Sequence, residues 1–160
     1  MSTLQFLADG FSIAFQWQNL LFAFVGVVIG TAVGVLPGIG PMSGVALLIP
    51  VTATITSGMP TSAAAASSII LLAGVYYGAM YGGSTTSILL NTPGESSSVV
   101  TTLDGYQMAR QGRAGAALAI AAIGSFCAGI ISLIGLVLLA EPLSNVAIKF
   151  GPAADRKGVV

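Results

Sequence analysis

The amino-acid sequence predicts an all-α, multi-spanning integral membrane protein. Hydrophobic residues make up 55% of the 160 residues and charged residues only 6%, whereas an ordinary soluble domain carries about 25% charged residues. Mean hydropathy is +0.96, and no charged residue lies between Asp9 and Glu95. Because a soluble fold of this size would place charges along such a run, we expect the chain to lie in a lipid bilayer.

The residue inventory excludes several classes of function. The net charge is zero, so the basic surface that nucleic-acid binding requires is missing. The chain has no histidine, so a Ser–His or Cys–His nucleophile cannot form within it, and we expect no enzyme. The single cysteine, Cys127, can form neither an intramolecular disulfide nor a cysteine-rich metal site. Its apolar neighbours in sequence predict a core position.

The first part of the chain predicts a surface segment followed by a span. Met1–Asn19 mixes aromatic and amide residues, which suits either an amphipathic segment at the membrane interface or a plain packed helix. Leu20–Leu36 is just long enough to cross the bilayer if flanking residues contribute. Glycines recur there at every fourth position, and they leave one helix face free for close packing. These glycines are Gly26, Gly30, Gly34 and Gly38.

Two further apolar segments follow. Met42–Gly58 contains Pro50 and alternating threonines, which weaken a straight helix, so we expect a broken or re-entrant helix there. Thr61–Met80 predicts the next span. Small residues in its first half favour packing, and tyrosines near its end mark an interface or line a wet cavity.

The remaining sequence predicts a polar connection and one long span. Glu95–Arg113 holds several of the few charges and belongs in water or in a polar cavity, and Leu103–Gly105 is typical of a turn. Ala114–Ala140 would extend about 40 Å as a helix, more than the roughly 30 Å of the hydrocarbon core. Glu141 and Pro142 are expected to end this span.

Two segments combine helix breakers with a membrane setting, namely Pro37–Pro41 and Gly82–Gly94. Non-helical backbone at membrane depth survives only when it is buried in protein or lines a water-filled cavity. The N-termini of half-helices at such breaks direct partial positive charge and free N–H groups into the cavity, where they can hold a carboxylate without lysine or arginine. Kinking and packing alone are the alternative for either break.

Polar side chains near the second break extend the candidate site. The hydroxyls that follow Gly83 could donate to an anion or supply oxygen ligands to a small cation. Glu95, Asp104 and Glu141 fit solvated surface carboxylates better than proton or cation carriers. No metal ligand is assigned and no cofactor is expected beyond a coupling cation, Na⁺ or H⁺. The predicted substrate-binding residues are Pro37, Gly38, Ile39, Gly40, Pro41, Gly82, Gly83, Ser84, Thr85, Thr86, Asn91, Thr92, Pro93 and Gly94.

At these residues the sequence resembles a known family. GVLPGIGPMSGVALLIPVT (Gly34–Thr52) and MYGGSTTSILLNTPGESSSVVTTLDGYQMARQGRAGAAL (Met80–Leu118) are similar to the two hallmark stretches of the large membrane subunit of the tripartite tricarboxylate transporters. The resemblance covers about Leu20–Pro152. Matching motif positions are Pro37–Pro41 for the first motif, Tyr81–Thr86 and Asn91–Glu95 for the second, and Asp104, Gly105, Tyr106, Arg110 and Gly112 for the loop signature.

The resemblance implies secondary-active uptake of di- and tricarboxylates such as citrate across the bacterial inner membrane, driven by a cation gradient. Implied partners are a small membrane subunit and a periplasmic solute-binding protein. Members of the family are longer and repeat-built, with a second half that echoes the first. We therefore expect residues 1–152 to be the N-terminal half of such a subunit and residues 153–160 to be a divergent polar tail of a truncated chain. The alternatives are a non-transporting remnant and a membrane scaffold or assembly subunit.

Overall fold

A computed structural model describes residues 3–155 and, for residues 3, 4, 6, 141 and 144–155, the backbone only. Between residues 3 and 155 the chain is helical and contains no strand, which confirms the all-α prediction. The helices are α1 (Thr3–Ala14), α2 (Trp17–Gly34), α3 (Pro41–Thr56), α4 (Thr61–Leu90), a 3₁₀ helix (Ser96–Ser98), α5 (Val99–Arg110) and α6 (Ala114–Asp155).

Three segments in this part of the chain are long and apolar enough to cross a membrane. They are α2, α4 and the first 27 residues of α6, Ala114–Ala140. Mean hydropathy over the best window is 1.6 for α2 and α4 and 2.4 for α6. The predicted spans at these three places are therefore confirmed by helix length and composition, and the chain is a membrane protein.

The central helix is α4, and α2 packs against it through glycines that both helices contribute. A β-carbon on Gly30 would collide with the carbonyl oxygen of Val75, and one on Gly78 would collide with the carbonyl oxygen of Val27. Residue numbers rise together along the interface, so the two helices run parallel. The glycines in this contact are Gly26, Gly30 and Gly34 of α2 and Gly74, Gly78 and Gly82 of α4. The predicted packing face of α2 is confirmed, except that Gly38 lies beyond the end of the helix.

Hydrogen bonds between side chains hold the N-terminal end of this pair. The Ser67 Oγ donates to the Asn19 Oδ1 at 2.6 Å, and the Asn19 Nδ2 donates to the Ile13 carbonyl at 2.8 Å. Thr56 and Ser68 share a hydroxyl–hydroxyl bond of 3.2 Å, which joins the end of α3 to the same end of α4. The start of α3 lies at the other end of the pair, so α3 returns the chain antiparallel to α2 and α4.

The predicted break inside Met42–Gly58 is wrong, because α3 is one continuous helix with Pro50 inside it. Proline costs such a helix one backbone hydrogen bond, and membrane helices tolerate that loss when neighbours support them. The Thr52 hydroxyl donates to the Leu48 carbonyl at 2.7 Å, within the helix. Because α3 returns to the starting end of α4, it is not a re-entrant segment. Its 16 residues extend about 24 Å.

The predicted turn at Leu103–Gly105 is also wrong, since these residues lie within α5. Gly105 is needed there for close packing on α4, because a β-carbon would stand 2.8 Å from the Ile88 Cγ1. The chain turns instead at Gly112, whose φ of +76° is in the left-handed region. Glycine reaches that region without the steric cost that other residues bear.

The chain divides into two compact units between Ala121 and Ala122. The second unit contains the rest of α6, which continues through residues 141 and 142 to Asp155, so the predicted end of the helix at Pro142 is wrong. A proline removes only one hydrogen bond from a helix and does not have to end it. Cys127 is exposed, so its predicted core position is wrong as well. The last part of the predicted polar tail, residues 156–160, lies outside the described residues.

Candidate functional site

The two glycine–proline segments meet at one cavity of about 540 Å³ in the first unit. The first segment connects α2 to α3, and the second connects α4 to the 3₁₀ helix. Both were expected to interrupt helices, and both contain a real interruption, at residues 35–40 and 91–95. The residues that line the cavity are Gly38, Gly40, Pro41, Met42, Tyr76, Pro93, Gly94, Glu95, Ser96 and Val99.

The first interruption is built by glycine and proline in complementary roles. Gly38 has φ +87°, and a β-carbon there would have no neighbour within 4 Å, so glycine is required for backbone conformation and not for space. Gly40 precedes α3 in an extended conformation and offers no side chain to cap it. Pro41 occupies the first helical position, where its missing N–H costs nothing.

The second interruption folds back along α4. Asn91 ends α4 in the left-handed conformation, with φ 57°. The Thr92 N–H then bonds to the Thr86 carbonyl at 3.4 Å. Three residues after Asn91, Gly94 lies against both neighbouring helices. A β-carbon on it would stand 2.5 Å from the Gly83 Cα and 2.9 Å from the Gly34 carbonyl oxygen.

The predicted half-helix N-terminus at Gly82 and Gly83 is wrong, because α4 runs through both residues without a break. Gly82 is required for close packing on α2, and Gly83 is in ordinary contact with Gly94. The four hydroxyls that follow donate to backbone carbonyls three or four residues earlier, at 2.8 to 3.1 Å. These are Ser84, Thr85, Thr86 and Ser87. Between Gly82 and Ser87, helix packing and hydrogen bonds within the helix therefore account for the glycines and hydroxyls, as in the alternative to a binding site.

The structure therefore brings only part of the predicted site together. Five of the predicted substrate-binding residues line the cavity, namely Gly38, Gly40, Pro41, Pro93 and Gly94. The other predicted residues are not among those that line it: Pro37, Ile39, Gly82, Gly83, Ser84, Thr85, Thr86, Asn91 and Thr92. Gly83 and Thr86 contribute indirectly, since they contact the backbone of the second interruption.

Sequence reasoning did not single out Tyr76 and left Glu95 out of the predicted substrate-binding residues. Tyr76 belongs to the tyrosines near the end of the predicted span, which gave a general signal for a wet cavity but did not single it out. Glu95 was expected to be a solvated surface carboxylate. It is half-buried and lines the cavity, and its hydrogen bond to Ser97 is solvent-exposed. Its Oε1 accepts a hydrogen bond from the Ser97 Oγ at 2.7 Å, and its own N–H donates to the Ser98 Oγ at 3.3 Å.

Two helix N-termini open at this cavity, and they differ in charge. Negative charge is stabilised at a helix N-terminus by the peptide dipoles. At the start of the 3₁₀ helix and α5, Glu95 supplies that charge. The first turn of α3, beginning at Pro41, has no acidic residue and no side-chain cap. The start of α3 is therefore the one of the two that can accept a carboxylate from a ligand.

Comparison with known proteins gives two matches. The sequence profile described as “Tripartite tricarboxylate transporter TctA family” matches residues 20–155. The chain is 54% identical over 151 residues to the “Uncharacterized 52.8 kDa protein in TAR-I ttuC' 3'region” of Agrobacterium vitis. That alignment covers 94% of this chain and 28% of the relative, so the chain spans less than a third of that relative's length. No solved structure matches the chain.

Proposed function

The chain belongs to the TctA family of tripartite tricarboxylate transporters, and on that premise we propose that it forms the N-terminal part of a permease for di- and tricarboxylates such as citrate. The family is one of transporters, not of enzymes. Transport is secondary-active, driven by a gradient of Na⁺ or H⁺, across the bacterial inner membrane. The cavity in which both helix interruptions meet is the observation that carries this proposal.

The size and lining of the cavity suit a small polar solute. Its volume of about 540 Å³ falls within the range of roughly 300 to 1,000 Å³ that is usual for small-molecule sites. The backbone at Gly38 and Gly40 is free of side chains, and the uncapped start of α3 favours a carboxylate. Tyr76 lines the cavity from α4, and a tyrosine hydroxyl can donate a hydrogen bond to a solute.

Helix lengths support a position for the cavity within the membrane. The 18 residues of α2 extend about 27 Å and the 30 residues of α4 about 45 Å. The contact between Gly94 and Gly83 lies seven residues before the end of α4 at Leu90, about 10 Å along its axis. Since the hydrocarbon core is roughly 30 Å thick, a tilted α4 that spans it would hold the cavity below the surface. Interrupted backbone at that depth is typical of transporter sites.

The proposal includes partners, because the family is described as tripartite and because this chain covers only 28% of its relative's length. We propose that the rest of the permease, a small membrane subunit and a periplasmic solute-binding protein complete the system. The periplasmic protein would deliver the carboxylate, and the membrane subunits would carry it.

Filling the cavity tests this function. Gly40 has φ −69° and ψ 170°, which any residue can adopt, and the nearest atom to an added β-carbon is the Glu95 Cβ at 3.9 Å. Gly40→Leu should therefore occupy the cavity without forcing the backbone. We expect membrane vesicles that carry the complete system to lose citrate uptake by at least about tenfold with this variant.

Gly58→Leu is the matched control, because Gly58 follows the other end of α3 and an added β-carbon meets no atom within 4 Å. This control should transport normally. Equal uptake by both variants would overturn the site. Unchanged uptake by a system that lacks this chain would favour a non-transporting remnant.

A further inference from the structure

Glu95 is the one charged residue among those that line the cavity. It lies where the two interruptions meet, with its Cβ 3.9 Å from the position of a β-carbon on Gly40. Its carboxylate accepts a hydrogen bond from the Ser97 hydroxyl at 2.7 Å and another from the Ser98 backbone N–H in a capping box.

The elements packed around Glu95 supply no positive side chain. The first interruption and the first turn of α3 carry no charged residue, and α4 contributes Tyr76 as the only other titratable group in the lining. The next acidic residue on α5, Asp104, lines a separate groove with Ile88 and Met108. Arg110 and Arg113 follow at the far end of α5 and are not among the lining residues.

A carboxylate ligand in this cavity would lie at short range from the carboxyl group of Glu95. Two like unit charges about 6 Å apart, at an effective dielectric constant of about 20, repel strongly enough to weaken binding on the order of 100-fold. The dipoles of the two helix N-termini at the cavity offset only part of this, since each contributes modestly compared with a full charge.

We propose that Glu95 is the cation-binding residue of the cavity, and that a monovalent cation neutralises its carboxylate when a carboxylate ligand binds. Both H⁺ and Na⁺ meet this requirement: H⁺ converts the group to a carboxylic acid, and Na⁺ binds the carboxylate together with hydroxyl or carbonyl oxygens. Binding of the ligand and of one cation is then linked, so that each raises the affinity for the other by the same factor. This inference rests on the proposed function, because it needs a carboxylate in the cavity.

The experiment measures citrate binding to the full chain in lipid nanodiscs by equilibrium dialysis. The wild type, Glu95→Gln, Glu95→Asp and Asp104→Asn are compared in choline buffer, with and without Na⁺, at alkaline and at acidic pH. Asp104→Asn is the matched control, since it removes an exposed carboxylate outside this cavity. We expect wild type, Glu95→Asp and Asp104→Asn to gain at least about tenfold in affinity with Na⁺ or with acid, and Glu95→Gln to bind without either dependence.

A second measurement reads the cation site in the absence of citrate. Only two glutamates are present, Glu95 and Glu141, so [¹³Cδ]glutamate labelling gives two carboxylate NMR signals that the Gln variants assign. If Na⁺ is the cation, its addition should shift the Glu95 signal and leave the Glu141 signal in place. If H⁺ is the cation, addition of citrate at constant pH should move the Glu95 signal toward that of the protonated acid.

The outcomes separate the two proposals. Full cation dependence in Glu95→Gln, or tight citrate binding by the wild type without any cation dependence, overturns the role of Glu95 and leaves the proposed function standing. If no variant binds citrate under any condition, the proposed carboxylate site fails in this chain, and neutralisation of Glu95 by H⁺, which requires a bound carboxylate, fails with it. The Glu95 signal then decides the Na⁺ form of the proposal: a shift with Na⁺ supports the cation site, and no shift overturns it.

Discussion

Gly94 rests on Gly83 so closely that a β-carbon on Gly94 would lie 2.5 Å from the Gly83 Cα. This contact turns the chain back after α4 and places Pro93, Gly94 and Glu95 beside the first interruption. One wall of the cavity therefore depends on contact between a glycine inside α4 and a glycine in the loop that follows it. Their surroundings are unequal, since a β-carbon on Gly83 would find its nearest atom at 3.5 Å, an ordinary contact distance.

This asymmetry predicts that Gly94→Ala is damaging and Gly83→Ala is tolerated. Overpacking of this kind costs about 1 to 3 kcal/mol of unfolding free energy, and Gly94→Ala should lose that amount. Gly83→Ala should be neutral or stabilising by up to about 1 kcal/mol, because alanine is the better helix former. Circular dichroism during SDS titration in mixed micelles measures both. Equal loss in the two variants would show that the contact at Gly83 and Gly94 does not exist.

The glycine interface of α2 and α4 predicts a second asymmetry. Gly30→Ala drives a β-carbon into the Val75 carbonyl, a backbone atom that cannot rotate away. We expect this variant to lose about 1 to 3 kcal/mol of unfolding free energy. Gly10→Ala is the control, because Gly10 lies in α1 and an added β-carbon meets nothing within 4 Å. The same unfolding measurement applies, and a Gly30→Ala variant as stable as the control would contradict the parallel packing.

The buried bond between Asn19 and Ser67 predicts energetic coupling between α2 and α4. Asn19 is 3% exposed and Ser67 4%, so truncating either residue leaves the other without its partner. A double-mutant cycle of Asn19→Ala and Ser67→Ala should show a coupling free energy of about 0.5 to 2 kcal/mol. Thr54→Ala serves as the control partner, since the exposed Thr54 hydroxyl donates only to the Pro50 carbonyl within α3. Coupling of Asn19 to Thr54 as large as that to Ser67 would refute the assignment.

The antiparallel return of α3 predicts the sidedness of three positions. Two crossings, α2 and α3, separate Gln16 from Gly58, and one crossing, α4, separates Gly58 from Ser97. In a Cys127→Ser background, Gln16→Cys and Gly58→Cys should react with a membrane-impermeant maleimide from one side, and Ser97→Cys from the other. Right-side-out and inverted vesicles distinguish the sides, and the background protein without added cysteine is the control. Labelling of Gln16→Cys and Gly58→Cys from opposite sides would mean that α3 does not cross.

Sequence composition by itself determined the class of protein and the approximate spans. The uncharged run after Asp9 and the apolar stretches predicted helices that the structure shows at α2, α4 and α6. The first interruption could also be predicted from the sequence, because Gly38 and Pro41 affect the backbone conformation of their own segment. Such local effects depend only on residues that are adjacent in sequence, so they can be predicted without the tertiary structure.

Only the tertiary structure decided that α4 is continuous and which residues line the cavity. A glycine pair breaks an isolated helix more easily than a packed one, and Gly82 and Gly83 stay helical because α2 and Gly94 pack against them. The same long-range packing brings Tyr76 and Glu95 to the interruption between α2 and α3, across segments that share no local pattern. Glu95 has uncharged neighbours in the cavity because residues distant in sequence pack around it. For this reason its proposed role could be inferred only from the tertiary structure.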